Sequence, residues 1–337
     1  MANIALRSPQ FKSINVSSLS VLSTTLTLTI DGILRYTIAK NKSSLSDTSF
    51  EISELCRDYL TIYYSGSNTP NTISIGSILT NYDGVNGTGS VVGTPVVFSD
   101  VGWEAYGTYL NGSNPINTAE RTVPTWLIAP IKTESYSSNE FEIFVPIGVS
   151  GRVAGVTSSG TVFTQIYSDT DTEVSNASQT DDIKITRINC SKYGNGREIV
   201  FINKYGAQQD LWFSLKETQN LSRKNESYKS NTLYYDDAPP YYQISEAPIS
   251  TFNTQAKKSY TLNSGYYPEG ATEYFEQLLL SEYVWMKVFR KENPVNELTI
   301  PVRVKSSRIE LKTSLNNRLI NYTIEFEDAF DYINNIR

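Results

Sequence analysis

The chain has 337 residues with 39% hydrophobic and only 19% charged residues, a net charge of −6 and a pI near 5.0. It contains no histidine, two cysteines and 23 tyrosines. Without the usual proton shuttle and commonest metal ligand, a hydrolytic triad or a zinc site would need an unusual construction.

The first clear element is a hairpin over residues 25–39. Leu26, Leu28 and Ile30 alternate with threonines, Asp31-Gly32 supplies a type I′ turn, and Leu34, Tyr36 and Ile38 alternate again. Phe50 and Ile52 predict a short strand, Ser53 an N-cap for a helical turn over 54–60, and residues 61–64 a return to β structure. Residues 1–66 thus read as a small β-sandwich-like module with one short helix.

Residues 67–182 form a Ser/Thr/Gly-rich β region with long loops. It carries an aromatic group, Trp103, Tyr106 and Tyr109, among glycines that favour a loop or hairpin. Strands are expected over 123–131, 141–147 and 153–167, and residues 168–182, acidic and without periodicity, as an exposed loop or linker.

Residues 183–337 have the clearest pattern. Strands are expected over 183–188, 199–202, 211–215 and 259–262. Pro268 marks a helix start, with Tyr274, Phe275, Leu278 and Leu279 at helical spacing. Val284, Met286 and Val288 then alternate, residues 292–296 turn onto 300–304, 309–311 suggest a further strand, and Ile320, Tyr322, Ile324 and Phe326 close the unit. The fold class is mainly β: sandwich-like N-terminal and middle domains, then an α+β domain of antiparallel sheet and one helix.

Paired carboxylates are the catalytic device still open without histidine. Asp169, Asp171 and Glu173 recur at spacing two, but the glycine and distal glutamate of an EF-hand are missing, so a solvated loop is expected. Asp236-Asp237 beside Ala238-Pro239-Pro240 reads as turn chemistry. The glycines of 148–160 lack the Gly-Lys-Ser/Thr of a phosphate loop. Cys56 and Cys190 read as buried free thiols rather than a disulfide. No catalytic, metal or cofactor-binding residue is assigned, no cofactor is expected, and the chain reads as a non-enzyme.

The aromatics have three readings. Trp103, Tyr106 and Tyr109, and separately Tyr234-Tyr235 with Tyr241-Tyr242, cover sheet edges in their own subunit, anchor a protein interface, or stack on sugars. Trp103, Tyr106 and Tyr109 are the candidate interface. The acidic balance, with no compensating Lys/Arg cluster, argues against nucleic acid as a partner. With no signal-peptide core and no run of 18 apolar residues, the chain is expected to be made in a cytoplasm and to leave membranes alone.

Ile199-Val200-Phe201-Ile202-Asn203-Lys204-Tyr205-Gly206 followed by Leu211-Trp212-Phe213-Ser214-Leu215 resembles a pattern in structural proteins of tailed bacteriophages, mainly those of Bacteroidetes hosts. Residues 278–285, Ile300-Pro301-Val302-Arg303-Val304 and Leu319-Ile320-Asn321-Tyr322-Thr323-Ile324-Glu325-Phe326 fit the same pattern, and the turn over 53–60 does so more loosely. The resemblance covers about a third of the chain and rests on packing patterns. It implies a structural role in the virion (tail, baseplate or head–tail connector) with other virion proteins as partners and a symmetric homo-oligomer as the working state. Residues 67–182 are expected to supply much of that contact. Two other classes remain: a receptor- or glycan-binding tail protein using aromatic loops, and a carboxylate-based depolymerase.

Overall fold

The structure, a computed structural model, describes residues 2–7, 9–16, 18–42, 46–66, 70–104, 141–146, 150–156, 162–176, 180–188, 196–203, 206, 208–235, 239–268, 271–289, 297–308 and 319–330. The chain is mainly β with several antiparallel sheets, sandwich-like at its N-terminal end and α+β at its C-terminal end.

Strands β1 (Ala2–Ala5), β2 (Phe11–Ile14), β3 (Ser23–Ile30), β4 (Ile33–Asn41) and β5 (Thr48–Glu51) precede helix α1 (Ser53–Arg57); β6 (Thr72–Tyr82) and β7 (Val96–Trp103) follow it. Five of these form a sheet in the order β1-β7-β6-β3-β4, and β2 pairs with β5. Alternation decides which face is buried. Leu26, Leu28 and Ile30 of β3 meet Ile73, Ile75 and Leu79 of β6, with Ile14, Phe50 and Ile52 closing the core from the β2–β5 side.

The β3–β4 turn forms as expected: Asp31 and Gly32 have φ of 50° and 77°, and Ile30 faces Ile33. A Cβ on Gly32 would meet nothing within 4 Å, so only the backbone resists substitution. Gly32→Val should therefore cost about 2 kcal/mol, the strain of a β-branched residue at positive φ. Thermal unfolding checks this; an unchanged melting temperature contradicts it.

Three local expectations need correction. Ser53 does not cap α1: it is the first helical residue, and its N–H and hydroxyl both donate to Glu51 Oε1. Residues 61–64 pair with no strand and run as a strap toward the C-terminal sheet. The boundary at residue 66 cuts through the first sheet, because β6 and β7 sit between β3 and β1. The N-terminal unit therefore runs to Trp103.

In the middle region β9 (Gly151–Val156) and β10 (Val162–Tyr167) form an antiparallel pair. Strands β11 (Glu173–Asn176), β12 (Thr180–Ile188) and β8 (Phe141–Pro146) form a sheet in that order, with β12 and β8 parallel. Residues 168–182 are thus not one loop, since they hold β11 and the start of β12. Strand β12 also crosses the boundary expected at 182, and its Ile185 joins the C-terminal core. The strand expected over 123–131 lies outside the described residues.

The C-terminal unit comprises β13 (Arg197–Ile202), β14 (Gln208–Phe213), β15 (Glu217–Lys229), β16 (Leu233–Tyr234), β17 (Tyr241–Tyr242), β18 (Ile249–Pro268), helix α2 (Thr272–Leu280), β19 (Val284–Phe289), β20 (Glu297–Val304) and β21 (Leu319–Asp328). Seven strands form one sheet, β14-β13-β19-β20-β21-β18-β15, and β16 pairs with β17. Helix α2 inserts Tyr274, Phe275 and Leu278 into a core with Ile199, Phe201, Phe213 and Phe326. Pro268 ends β18, and the helix begins only at Thr272. The strand expected over 309–311 lies outside the described residues.

Candidate functional site

Two features stand out once the sheets are in place: a buried junction between the N- and C-terminal units, and a ribbon that leaves the C-terminal sheet.

The junction is built on the sheet face opposite α2. Val200, Ile202 and Trp285 point there, and the strap covers them with Ile62 and Tyr64; the Tyr64 and Trp285 rings are 6.0 Å apart. Gln208 fixes the strap by donating to the Tyr63 carbonyl at 3.2 Å. Beside this patch Lys287 and Glu198 pair at 2.5 Å. Burial pulls the Lys287 pKa down, but Glu198 and Asp210 outweigh it and the net shift is upward.

Trp103 ends β7 at this same junction. It is only 3% exposed, and its indole lies against Gly206 between β13 and β14. This corrects its assignment as an interface residue: the ring packs inside its own chain and is not offered to a partner. Tyr106 and Tyr109 lie outside the described residues.

Arg7 donates to Glu104 and, at 2.7 Å, to Glu282, which Arg57 also reaches at 3.2 Å. The Arg7 hydrogen bond holds the Glu282 carboxyl below its usual pKa, against a smaller upward push from burial. A lowered carboxylate pKa contributes stability that is present above the unfolded value and lost as pH falls through the folded one. Glu282 is 55% exposed at its side chain, so the contribution is small. Glu282→Gln should cost less than ~1 kcal/mol at neutral pH and flatten the acid limb of stability below pH ~4.5. Urea titrations across pH test this, and an unchanged acid limb contradicts it.

A cavity of about 290 Å³ opens at the junction, lined by Arg7, Glu104, Ile202, Asn203, Gln277 and Tyr283 among others. Of its three carboxylates, Glu104, Glu276 and Glu282, the first and last are engaged by Arg7, which clamps two units together. Two other candidate groups are structurally committed. Asp171 accepts the Ser168 N–H at 2.7 Å in a turn, and Cys56 is a buried free thiol whose pKa burial pushes up to about 12. Asp236, Asp237 and Cys190 lie outside the described residues. Among the described residues no group of three or more His, Cys, Asp or Glu is placed to hold a metal ion, and no helix is long and apolar enough to cross a membrane.

The ribbon is the second feature. Strands β15 and β18 pair from Glu217–Leu262 outward to Lys229–Ile249, and β21 accompanies β18 only as far as Ser259. Beyond that point two strands continue alone for roughly 30 Å at about 3.3 Å per residue. Every residue of β15 after Glu217 is exposed. At the end of the ribbon β16 and β17 bring Tyr234 and Tyr241 into a stack 5.4 Å apart, with Tyr235 and Tyr242 exposed beside them. The tyrosines singled out in the sequence are thus brought together at a projecting tip. The ribbon itself gives no apolar alternation in sequence, because neither face is buried.

No protein-family model, curated protein or solved structure matches the chain.

Proposed function

We propose that this is a non-enzymatic structural protein of a tailed-bacteriophage virion, acting through protein–protein contacts in the tail, baseplate or head–tail connector. The observation that carries the contact role is the ribbon: a two-stranded projection with exposed apolar side chains that the described residues of its own chain leave uncovered. An isolated two-stranded hairpin is marginal in water, and exposed apolar surface of this kind marks an interaction site. The resemblance of residues 199–206, 211–215, 278–285, 300–304 and 319–326 to phage structural proteins supports the virion setting. Glu104 and Glu282 at the junction are tied to Arg7, an arrangement that fits a scaffold. Quantitative mass spectrometry of purified particles should find the chain at a fixed multiple of known structural proteins. Its absence from particles overturns the proposal.

A receptor- or glycan-binding tail protein is the second reading, favoured by the stacked Tyr234–Tyr241 pair and exposed Tyr242 at the ribbon tip. Aromatic faces of that kind stack on sugar rings as well as on protein. Binding on a glycan array that is lost in Tyr241→Ala/Tyr242→Ala would favour this reading.

A further inference from the structure

We infer that the ribbon of β15 and β18 docks onto the body of a second copy of this chain and is the contact that makes the protein oligomeric. This rests on the scaffold reading above and gives it a specific surface and partner.

The shaft has a chemical signature of its own. Arg223, Lys224, Lys229, Lys257 and Lys258 lie on it, against the single anion Glu226. The whole chain carries −6, so the rest of it is more acidic than that figure. The tip segment between the two strands returns Asp236, Asp237 and Glu246, so the positive charge belongs to the shaft; a cationic shaft is complementary to the acidic body of another copy.

Its apolar side chains face outward. On the shaft Leu221 and Ile249 are each 61% exposed, and Tyr228 and Phe252 are exposed while in edge contact at 5.8 Å. At the tip Leu233 and Ile244 are exposed, Ile244 at 91%. Such side chains belong in an interface centre, with the lysines as its rim.

The mode of docking also follows. Among the described residues no further strand pairs with either ribbon edge beyond Ser259, but a register shift at Lys224/Glu226 interrupts the ladder and lysines punctuate both strands. Bulges and edge lysines are the devices that discourage strand-to-strand addition. The ribbon therefore binds through its faces. Its exposed residues approach the roughly 20–30 per side of a standard interface. Arm on body is a heterologous contact, which closes into a ring when the rotation between copies permits.

The test is the mass of the full chain in solution, by light scattering after size exclusion, beside two variants. One replaces residues 221–258 with Asn-Gly, joining Asn220 to Ser259, which already face each other. The other is Arg223→Glu/Lys224→Glu/Lys257→Glu/Lys258→Glu. We expect the parent to be oligomeric at low salt and to dissociate as salt shortens the screening length from ~10 Å at 0.1 M to ~3 Å at 1 M. Both variants should be monomeric at the same concentration, with the core melting transition retained. A monomeric parent, or variants that assemble as the parent does, overturns the inference. A monomeric parent that is nevertheless found in particles overturns self-docking alone and leaves the virion reading standing; an oligomer absent from particles does the reverse.

Discussion

Phe275→Ala should destabilise the C-terminal unit by about 3–5 kcal/mol, the range for removing a fully buried aromatic side chain. Phe275 is 0% exposed and sits at the centre of a ring cluster. Its centroid lies 4.7 Å from Tyr322, 5.4 Å from Tyr267 and 6.2 Å from Phe213. Those partners come from β21, β18 and β14, so the helix cannot settle to fill the void without leaving one of them. Edge-to-face packing against Tyr267 and Phe213 adds to the area term. Urea unfolding followed by tyrosine and tryptophan fluorescence measures the effect. A loss below about 1 kcal/mol, the scale of an ordinary surface change, would show that α2 is not a core element.

Gly206→Ala should cost about 3 kcal/mol and loosen the two units from each other. A Cβ at Gly206 would lie 2.0 Å from the Glu104 carbonyl oxygen and 2.5 Å from Trp103 Cδ1, and its φ is +82°. Positive φ and a collision with backbone act together here. Gly66→Ala separates the two causes: its φ is +65° and its Cβ would meet nothing within 4 Å, so it should cost only about 1 kcal/mol. Calorimetry should give a lowered first transition for Gly206→Ala, from the N-terminal unit released at its Trp103 end. Equal effects at the two glycines would mean that the approach of β7 to Gly206 does not hold the junction.

The sequence is most readable where one face of a strand packs in the apolar core and the other carries polar side chains. Leu26, Leu28 and Ile30 alternate with threonines because those threonines face away from the core, and the 25–39 hairpin followed from that alternation and from Asp31-Gly32. Strand β6 carries the same alternation in Ile73 and Ile75, but serine and threonine around them resemble loop composition and hide the strand beyond residue 66. The ribbon was illegible for a physical reason. A strand with no buried face has no reason to alternate, and residues 217–229 are almost uniformly polar. Trp103 misled in the opposite sense. Its glycine-rich neighbourhood suggests an exposed loop, but Gly206, distant in sequence, is what the ring packs against. Contacts between units of this kind leave no local period to read.

A reconstruction of the intact particle to side-chain detail tests the central claim most directly. The chain should appear in repeated copies at the tail, baseplate or head–tail junction, with Tyr228 and Phe252 of each ribbon buried against a neighbouring subunit. A particle in which no copy of the chain is found, or copies whose ribbons stand free in solvent, would contradict it.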